Sequence, residues 1–210
     1  MMGWLALFGC YVFGAIPFGL MVGKITRGID IRDFGSGNIG ASNVLRTLGP
    51  GPALLVFVLD TAKGWGPVVL CKELGLGEYW VVAGALLSVL GHTFSVFLRF
   101  KGGKGVATSL GVIIGLNPVI AAIALGIWFM VLGISRYISV ASILAAISVP
   151  VQMVFWRKMN VPVAYQILAG IAALAILAKH IPNIKRLVGG DEPRIGESVD
   201  LTKEGGEGGE

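Results

Sequence analysis

Long apolar runs separated by short polar segments make up most of the chain. A membrane span needs about 20 apolar residues to cross about 30 Å of hydrocarbon. Residues 2–23, 50–71, 79–98, 138–156 and 161–178 meet that requirement, each bounded by charge or by Gly/Pro. The stretch 106–134 is long for one span and is interrupted at Asn117-Pro118. Proline disfavours helix at the residue before it, so a boundary is expected there. The first half, 106–116, rises only about 16 Å as a helix. It crosses only with a thinned membrane, an inward-tilted loop or help from its neighbours.

Basic residues choose between one crossing and two, because they accumulate on the cytoplasmic side. Two crossings in 106–134 give seven spans and place 13 basic residues on one side: Lys24, Arg27, Arg32, Arg46, Arg99, Lys101, Lys104, Arg136, Lys179, Lys185, Arg186, Arg194 and Lys203. Only Lys72, Arg157 and Lys158 remain on the other, with Lys63 inside a span. One crossing leaves a nearly even split. The chain is therefore expected to be an all-α polytopic membrane protein with seven transmembrane helices, its N-terminus outside and its C-terminus cytoplasmic. The first run lacks a positive flank and a small-residue cleavage site, so it reads as a span and not as a signal peptide. The polar and glycine-rich segments 30–49, 91–108, 135–142 and 179–196 then share the cytoplasmic face. The outer loops, 72–78 and 157–160, are short.

Composition agrees with this reading. Hydrophobic residues are 55% and charged residues 14%, with a mean hydropathy of +0.80, which excludes soluble folds, disulfide scaffolds and disordered classes. Cys10 and Cys71 lie in apolar stretches without metal-ligand spacing. Glycine, at 32 of 210 residues, is about twice its usual frequency. Close helix packing accounts for part of that excess, as at Gly111 and Gly115; anion-binding loops account for another.

Two segments carry the second kind. In the first, Gly35, Gly37 and Gly40 alternate with Ser36, Asn38, Ser42 and Asn43. A short amphipathic helix is expected from about Ile39 to Leu48, with Arg46 two turns in. Glycine lets backbone N–H groups turn towards an anion, and a helix N-terminus favours negative charge. In the second segment, Lys101 and Lys104 bracket Gly102 and Gly103, Gly105 follows, and a helix opens just after, reaching Thr108. Backbone nest, point charges and helix N-terminus together suit phosphate. This is not a Walker A loop, because no Ser or Thr follows Lys104 and no Gly stands five residues before Gly103.

His92 and His180 both fall at the cytoplasmic ends of spans, and Ser139 and Ser142 begin the sixth span on the same face. Either histidine reads equally as a packed structural residue, and the two serines as helix-packing hydroxyls. Asp60 and Lys63 lie within the second span at i, i+3, where mutual neutralisation accounts for them. No G-x-S-x-G elbow, H-E-x-x-H pair or carboxylate cluster is present, nor an Asp five residues after either His. No metal or cofactor is expected. A small permease for an anionic metabolite remains a second reading. It suits the break at Asn117-Pro118, but the polar residues gather at one face and not at the midplane.

The run Gly35 to Asn43, Gly91-His92 with Phe100 to Thr108, Ser139 to Ser142, and His180 with Asn183 closely resemble the bacterial acyl-phosphate:glycerol-3-phosphate acyltransferases. The resemblance spans positions 2 to about 192, with Ser42 where the family commonly has Thr. It implies a seven-span enzyme of the bacterial cytoplasmic (inner) membrane with its active site facing the cytoplasm. Such an enzyme transfers a fatty acyl group from acyl phosphate to the sn-1 hydroxyl of glycerol-3-phosphate, giving lysophosphatidic acid and phosphate. His92, His180 and Lys104 are then the expected catalytic residues. Ser36, Gly37, Asn38, Asn43, Arg46, Lys101, Gly102, Gly103, Gly105, Thr108, Ser142 and Asn183 are the expected substrate and phosphate ligands. His92, His180 or a substrate phosphate oxygen is left to act as base. An enzyme using acyl-CoA or acyl-carrier protein shares most of these features. Membrane lipid is the expected surrounding and a monomer the expected state, with no nucleic-acid partner. One domain is expected over 1–195, and the low-complexity segment 196–210 is expected to be disordered.

Overall fold

The structure, a computed structural model, describes residues 1–155 and 160–197. Those residues form α1 (Met2–Ala15), α2 (Phe18–Arg27), α3 (Ala41–Leu48), α4 (Pro50–Glu73), α5 (Glu78–Thr93), α6 (Val106–Leu116), α7 (Pro118–Ser135), α8 (Ile138–Phe155), α9 (Val163–Lys179) and α10 (Ile181–Gly189). No strand occurs among the described residues. Arg157 and Lys158 of the expected outer loop, and residues 198–210 of the expected tail, lie outside them.

Five stretches are long and apolar enough to cross a membrane: Met2–Arg27, α4, Glu78–Leu98, α7 and α8. The pair α9 and α10, bent by 48°, makes a sixth if it is one span. The 11-residue α6 is shorter than a span.

The first expected span, 2–23, is broken. Pro17 pushes Ile16 out of helical geometry, to ψ 121°, and α2 restarts at Phe18. The carbonyl of Ile16 is taken up by the buried Lys63 Nζ of α4 at 2.8 Å. Pro17 was visible in the sequence as a signal for this break; the lysine that receives the carbonyl was not.

Glycine sets the helix spacing. A Cβ on Gly64 of α4 would lie 1.9 Å from the Thr108 carbonyl oxygen of α6, and one on Gly111 of α6 would lie 1.9 Å from that of Thr61. Gly115 packs on Val68 in the same register, so α4 and α6 run parallel with their backbones in contact. The pair α1 and α5 repeats the device, Gly14 lying against Ser88 and Gly91 against Tyr11. These contacts explain why α6 is short. Gly64 is roughly 20 Å along α4 from Pro50 at 1.5 Å per residue, yet it meets the third residue of α6. The loop before α6 therefore sinks into the bundle and replaces the lower part of a helix.

At Asn117 the chain turns. Its side-chain oxygen accepts from the N–H groups of Val119 and Ile120, both at 3.1 Å, capping α7 with Pro118 in its first turn. The end of α7 returns to the level of the start of α6. Ile195 N donates to the Arg136 carbonyl at 2.8 Å, and the same C-terminal segment connects through Asn183 to Lys104. The stretch 106–134 thus goes out and comes back.

Candidate active site

The glycine-rich segment before α3 folds around one side chain. Asn43, fully buried, donates from Nδ2 to the carbonyls of Ile31 and Phe34 at 3.0 and 3.1 Å, and its Oδ1 accepts from Ser36 N at 2.8 Å. Gly40 N donates to Asn38 Oδ1, and Gly37 N to the Phe34 carbonyl. The loop's N–H groups at 36, 37 and 40 are thus engaged within the loop. The polar side chains it brings to the cavity lining are Asn38 and, from α3, Ser42 and Arg46.

The second loop is fastened to the end of α5. Phe100 N donates to the Ser95 carbonyl, Gly102 N to Thr93 and Gly103 N to His92, at 2.8 to 3.1 Å. Arg99 and Phe100 both take left-handed backbone conformations, which these bonds and the packing must sustain. The N–H groups of Gly102 and Gly103 are thus spent on protein carbonyls. Both are glycine for close approach, since a Cβ would lie 2.0 Å from the His92 carbonyl oxygen at Gly102 and 2.2 Å from His92 Nε2 at Gly103. Gly105, at φ +81°, makes the left-handed turn that opens α6.

Lys104 follows from this arrangement. Its Nζ donates to Asn183 Oδ1 of α10 at 2.6 Å. Asn183 Nδ2 donates to Glu192 Oε1 at 2.8 Å, and Arg186 Nε donates to Glu192 Oε2 at 2.9 Å. Burial acts to raise the Glu192 carboxyl but is outweighed by these bonds, which hold it below the usual range. Burial, joined by the nearby Arg186 and Arg46, pushes the Lys104 ammonium down to about 8 against the pull of Glu192. Glu192 was not singled out from the sequence; its position two residues after Gly189-Gly190, following a basic helix, was the available signal.

Lys104, Arg46, His180 and Asn183 gather at one end of a cavity of about 450 Å³, which Asn38 also lines. The rest of the cavity is mostly apolar, running between α4, α6, α7, α8 and α9 past Leu54, Phe57, Ile113, Leu125, Trp128 and Val149, with Asp60, His92 and a few serines also on its lining. His180 Nδ1 bonds the Ile176 carbonyl at 2.8 Å. A carbonyl only accepts, so Nδ1 carries the proton and Nε2 of the neutral ring is left to accept one. His92 lines the cavity above Gly103. Ser142 Oγ donates to the Ile138 carbonyl and accepts from Trp128 Nε1.

Of the residues expected from the sequence, Asn38, Arg46, His92, Lys104, Gly105, Ser142, His180 and Asn183 line the cavity. Ser36, Gly37, Asn43, Lys101, Gly102, Gly103 and Thr108 do not; Asn43 and the glycines shape the loops, and the buried Thr108 packs on Gly64. Ser139, also on the lining, is buried close to Glu192. No group of three or more His, Cys, Asp or Glu that could hold a metal occurs among the described residues.

Fold and site define an integral membrane protein whose cationic pocket opens into an apolar chamber, a shape suited to an anionic head with a hydrocarbon tail. Comparison with known proteins narrows the class. The family model described as glycerol-3-phosphate acyltransferase matches residues 4–190. Glycerol-3-phosphate acyltransferases of Synechococcus sp. (strain JA-2-3B'a(2-13)) and Geotalea daltonii are each 46% identical to this chain, over 92% and 89% of it and 94% of each relative. The crystal structure of PlsY (YgiH), an integral membrane glycerol 3-phosphate acyltransferase, in its glycerol 3-phosphate form superposes with a TM-score of 0.86 at 38% identity. The match covers 93% of this chain and 96% of that one. Its lysophosphatidic acid form gives 0.84 at 38% identity, over 94% and 97%. The chain belongs to the glycerol-3-phosphate acyltransferase family.

Proposed function

We propose that this protein transfers a fatty acyl group from acyl phosphate to the sn-1 hydroxyl of glycerol-3-phosphate, releasing lysophosphatidic acid and phosphate as the first step of phospholipid synthesis. The observation that carries the reading is the cavity itself, with Lys104 and Arg46 at its polar end and an apolar chamber beyond. One relative, solved in a glycerol 3-phosphate form and in a lysophosphatidic acid form, supports it.

The reaction forms an ester bond between the hydroxyl oxygen and the acyl carbon and breaks the bond from that carbon to the phosphate oxygen. Phosphate leaves with the bonding electrons. Acyl phosphate is a mixed anhydride with a good leaving group, so the mechanism uses no covalent enzyme nucleophile, metal or cofactor. The enzyme has to hold two anions together and let a proton leave the hydroxyl. Lys104 and Arg46 offset the repulsion, Asn183 completes the polar end, and Asn38 and Ser142 add hydrogen-bonding groups from the cavity lining. The proton goes to His180 Nε2, to His92 or to a substrate phosphate oxygen.

In this reading residues 1–195 form one domain in the bacterial cytoplasmic membrane, with the site facing the cytoplasm and the N-terminus outside. The short α6, extended by its sunken loop, serves as one of seven crossings, and the protein acts as a monomer surrounded by lipid. The test is phosphate release and lipid product from purified protein given glycerol-3-phosphate with acyl phosphate, acyl-CoA or acyl-carrier protein in parallel. Turnover with acyl phosphate alone is expected; turnover only with a thioester donor overturns the donor assignment.

A further inference from the structure

The ion pair of α4 has no part in the reaction as derived above. Lys63 and Asp60 are 0% and 2% exposed, and Lys63 Nζ stands 2.9 Å from Asp60 Oδ1. Burying two charges is expensive, and such pairs are often replaced by apolar residues without loss of stability. Packing alone is therefore a weak reason for an ion pair here, where α4 already meets α6 backbone to backbone.

The surroundings suggest a stronger reason. Asp60 Oδ1, paired with Lys63, also faces His92 Nδ1 at 3.9 Å, and Nδ1 has no hydrogen-bond partner. The other side of the imidazole bears on Gly103, where a Cβ would lie 2.2 Å from Nε2. Gly103 N in turn donates to the His92 carbonyl, and the next residue is Lys104. Lys63 is anchored independently through the Ile16 carbonyl. A continuous series of contacts runs from the break between α1 and α2, through Lys63, Asp60 and the His92 ring, to the turn that presents Lys104.

We propose that Asp60, held by Lys63, is a positioning residue: it takes the Nδ1 proton of His92 in a hydrogen bond, fixes the ring against Gly103, and so holds Lys104 in its anion-binding position. This rests on the reading of Lys104 as a phosphate ligand. The chain has two histidines, so imidazole ¹⁵N spectra of the full-length protein are readily assigned, with His180→Gln marking the second signal. The expected result is a neutral His92 with its proton on Nδ1. In Asp60→Leu/Lys63→Met, which removes both charges together, that preference is lost and KM for glycerol-3-phosphate rises about tenfold or more, with kcat changed less. Asp60→Asn/Lys63→Met restores an acceptor without charge and is expected to regain most of the lost affinity.

An unprotonated Nδ1 in the unaltered protein overturns the proposal, even if the double variants fail to fold. So does a normal KM in Asp60→Leu/Lys63→Met. Lys104→Ala, measured alongside, separates the two layers: a normal KM there removes the phosphate reading itself. A disabled Lys104→Ala beside a normal Asp60→Leu/Lys63→Met removes only the role of Asp60.

Discussion

Lys104 Nζ donates to Asn183 Oδ1 across 2.6 Å, joining the loop before α6 to the C-terminal helix α10. Residues 79 positions apart thus meet at the cationic end of the cavity. Lys104→Ala is expected to lower kcat/KM by a hundredfold or more, about 3 kcal/mol of transition-state stabilisation, while the protein still expresses and folds. Steady-state kinetics beside a melting curve decides this, and a fully active variant would show that the phosphate is held elsewhere.

The same ammonium predicts a pH dependence. A lysine pushed down to about 8 is charged below that pH and neutral above it, so binding of an anion weakens as pH rises. In the free enzyme kcat/KM is expected to fall above pH 8. A flat profile of kcat/KM from pH 7 to 10 would argue against Lys104 as the phosphate ligand.

Two glycines separate site from scaffold. Gly103→Ala pushes a methyl against the His92 ring, whereas Gly64→Ala drives one into the Thr108 backbone carbonyl. The first is expected to raise the apparent KM for a phosphate-bearing substrate, with the fold retained. The second is expected to destabilise the protein by about 1–3 kcal/mol through overpacking. Comparing melting temperature with KM for both variants tests the distinction, which fails if the two lose stability equally.

Glu192 braces Asn183 and Arg186 at once. Glu192→Ala leaves an amide and a guanidinium without their acceptor, so a loss of about 1–3 kcal/mol is expected, read as reduced thermal stability together with reduced kcat/KM. Wild-type values in both measurements would mean that Lys104 and Asn183 hold their places without the brace.

A cysteine placed at Arg136 is expected to react with an impermeant thiol reagent only from the cytoplasmic side, because Arg136 is tied to Ile195 at the end that carries Lys104. Cys10 and Cys71 are buried and provide a quiet background. Labelling from outside would refute the seven-crossing topology.

Much of this was legible in the linear chain. Apolar run length located the helices, because each membrane-crossing segment must satisfy its own backbone. The Lys104 loop stood out because glycine and lysine rarely alternate without a reason in backbone geometry. Asn117-Pro118 marked the turn between α6 and α7, although only the folded chain reveals that its two sides return to one level. Where the Gly102 and Gly103 N–H groups point was not legible in the chain. Composition cannot tell an N–H aimed at an anion from one spent on His92 or Thr93, since both uses require the same small residue.

The sequence by itself determined the membrane solvent, the helical class and the residue types at the cationic end of the cavity, because hydropathy, charge and glycine placement are local properties of the chain. The tertiary structure decided which candidates share a cavity. It placed Arg46, Lys104, His180 and Asn183 together, turned Asn43 into a loop brace, brought in Glu192 and set Asp60 opposite His92. Those outcomes depend on helices touching through Gly64, Gly111, Gly14 and Gly91. Such register between distant segments follows from packing in three dimensions, which no local pattern of residues encodes.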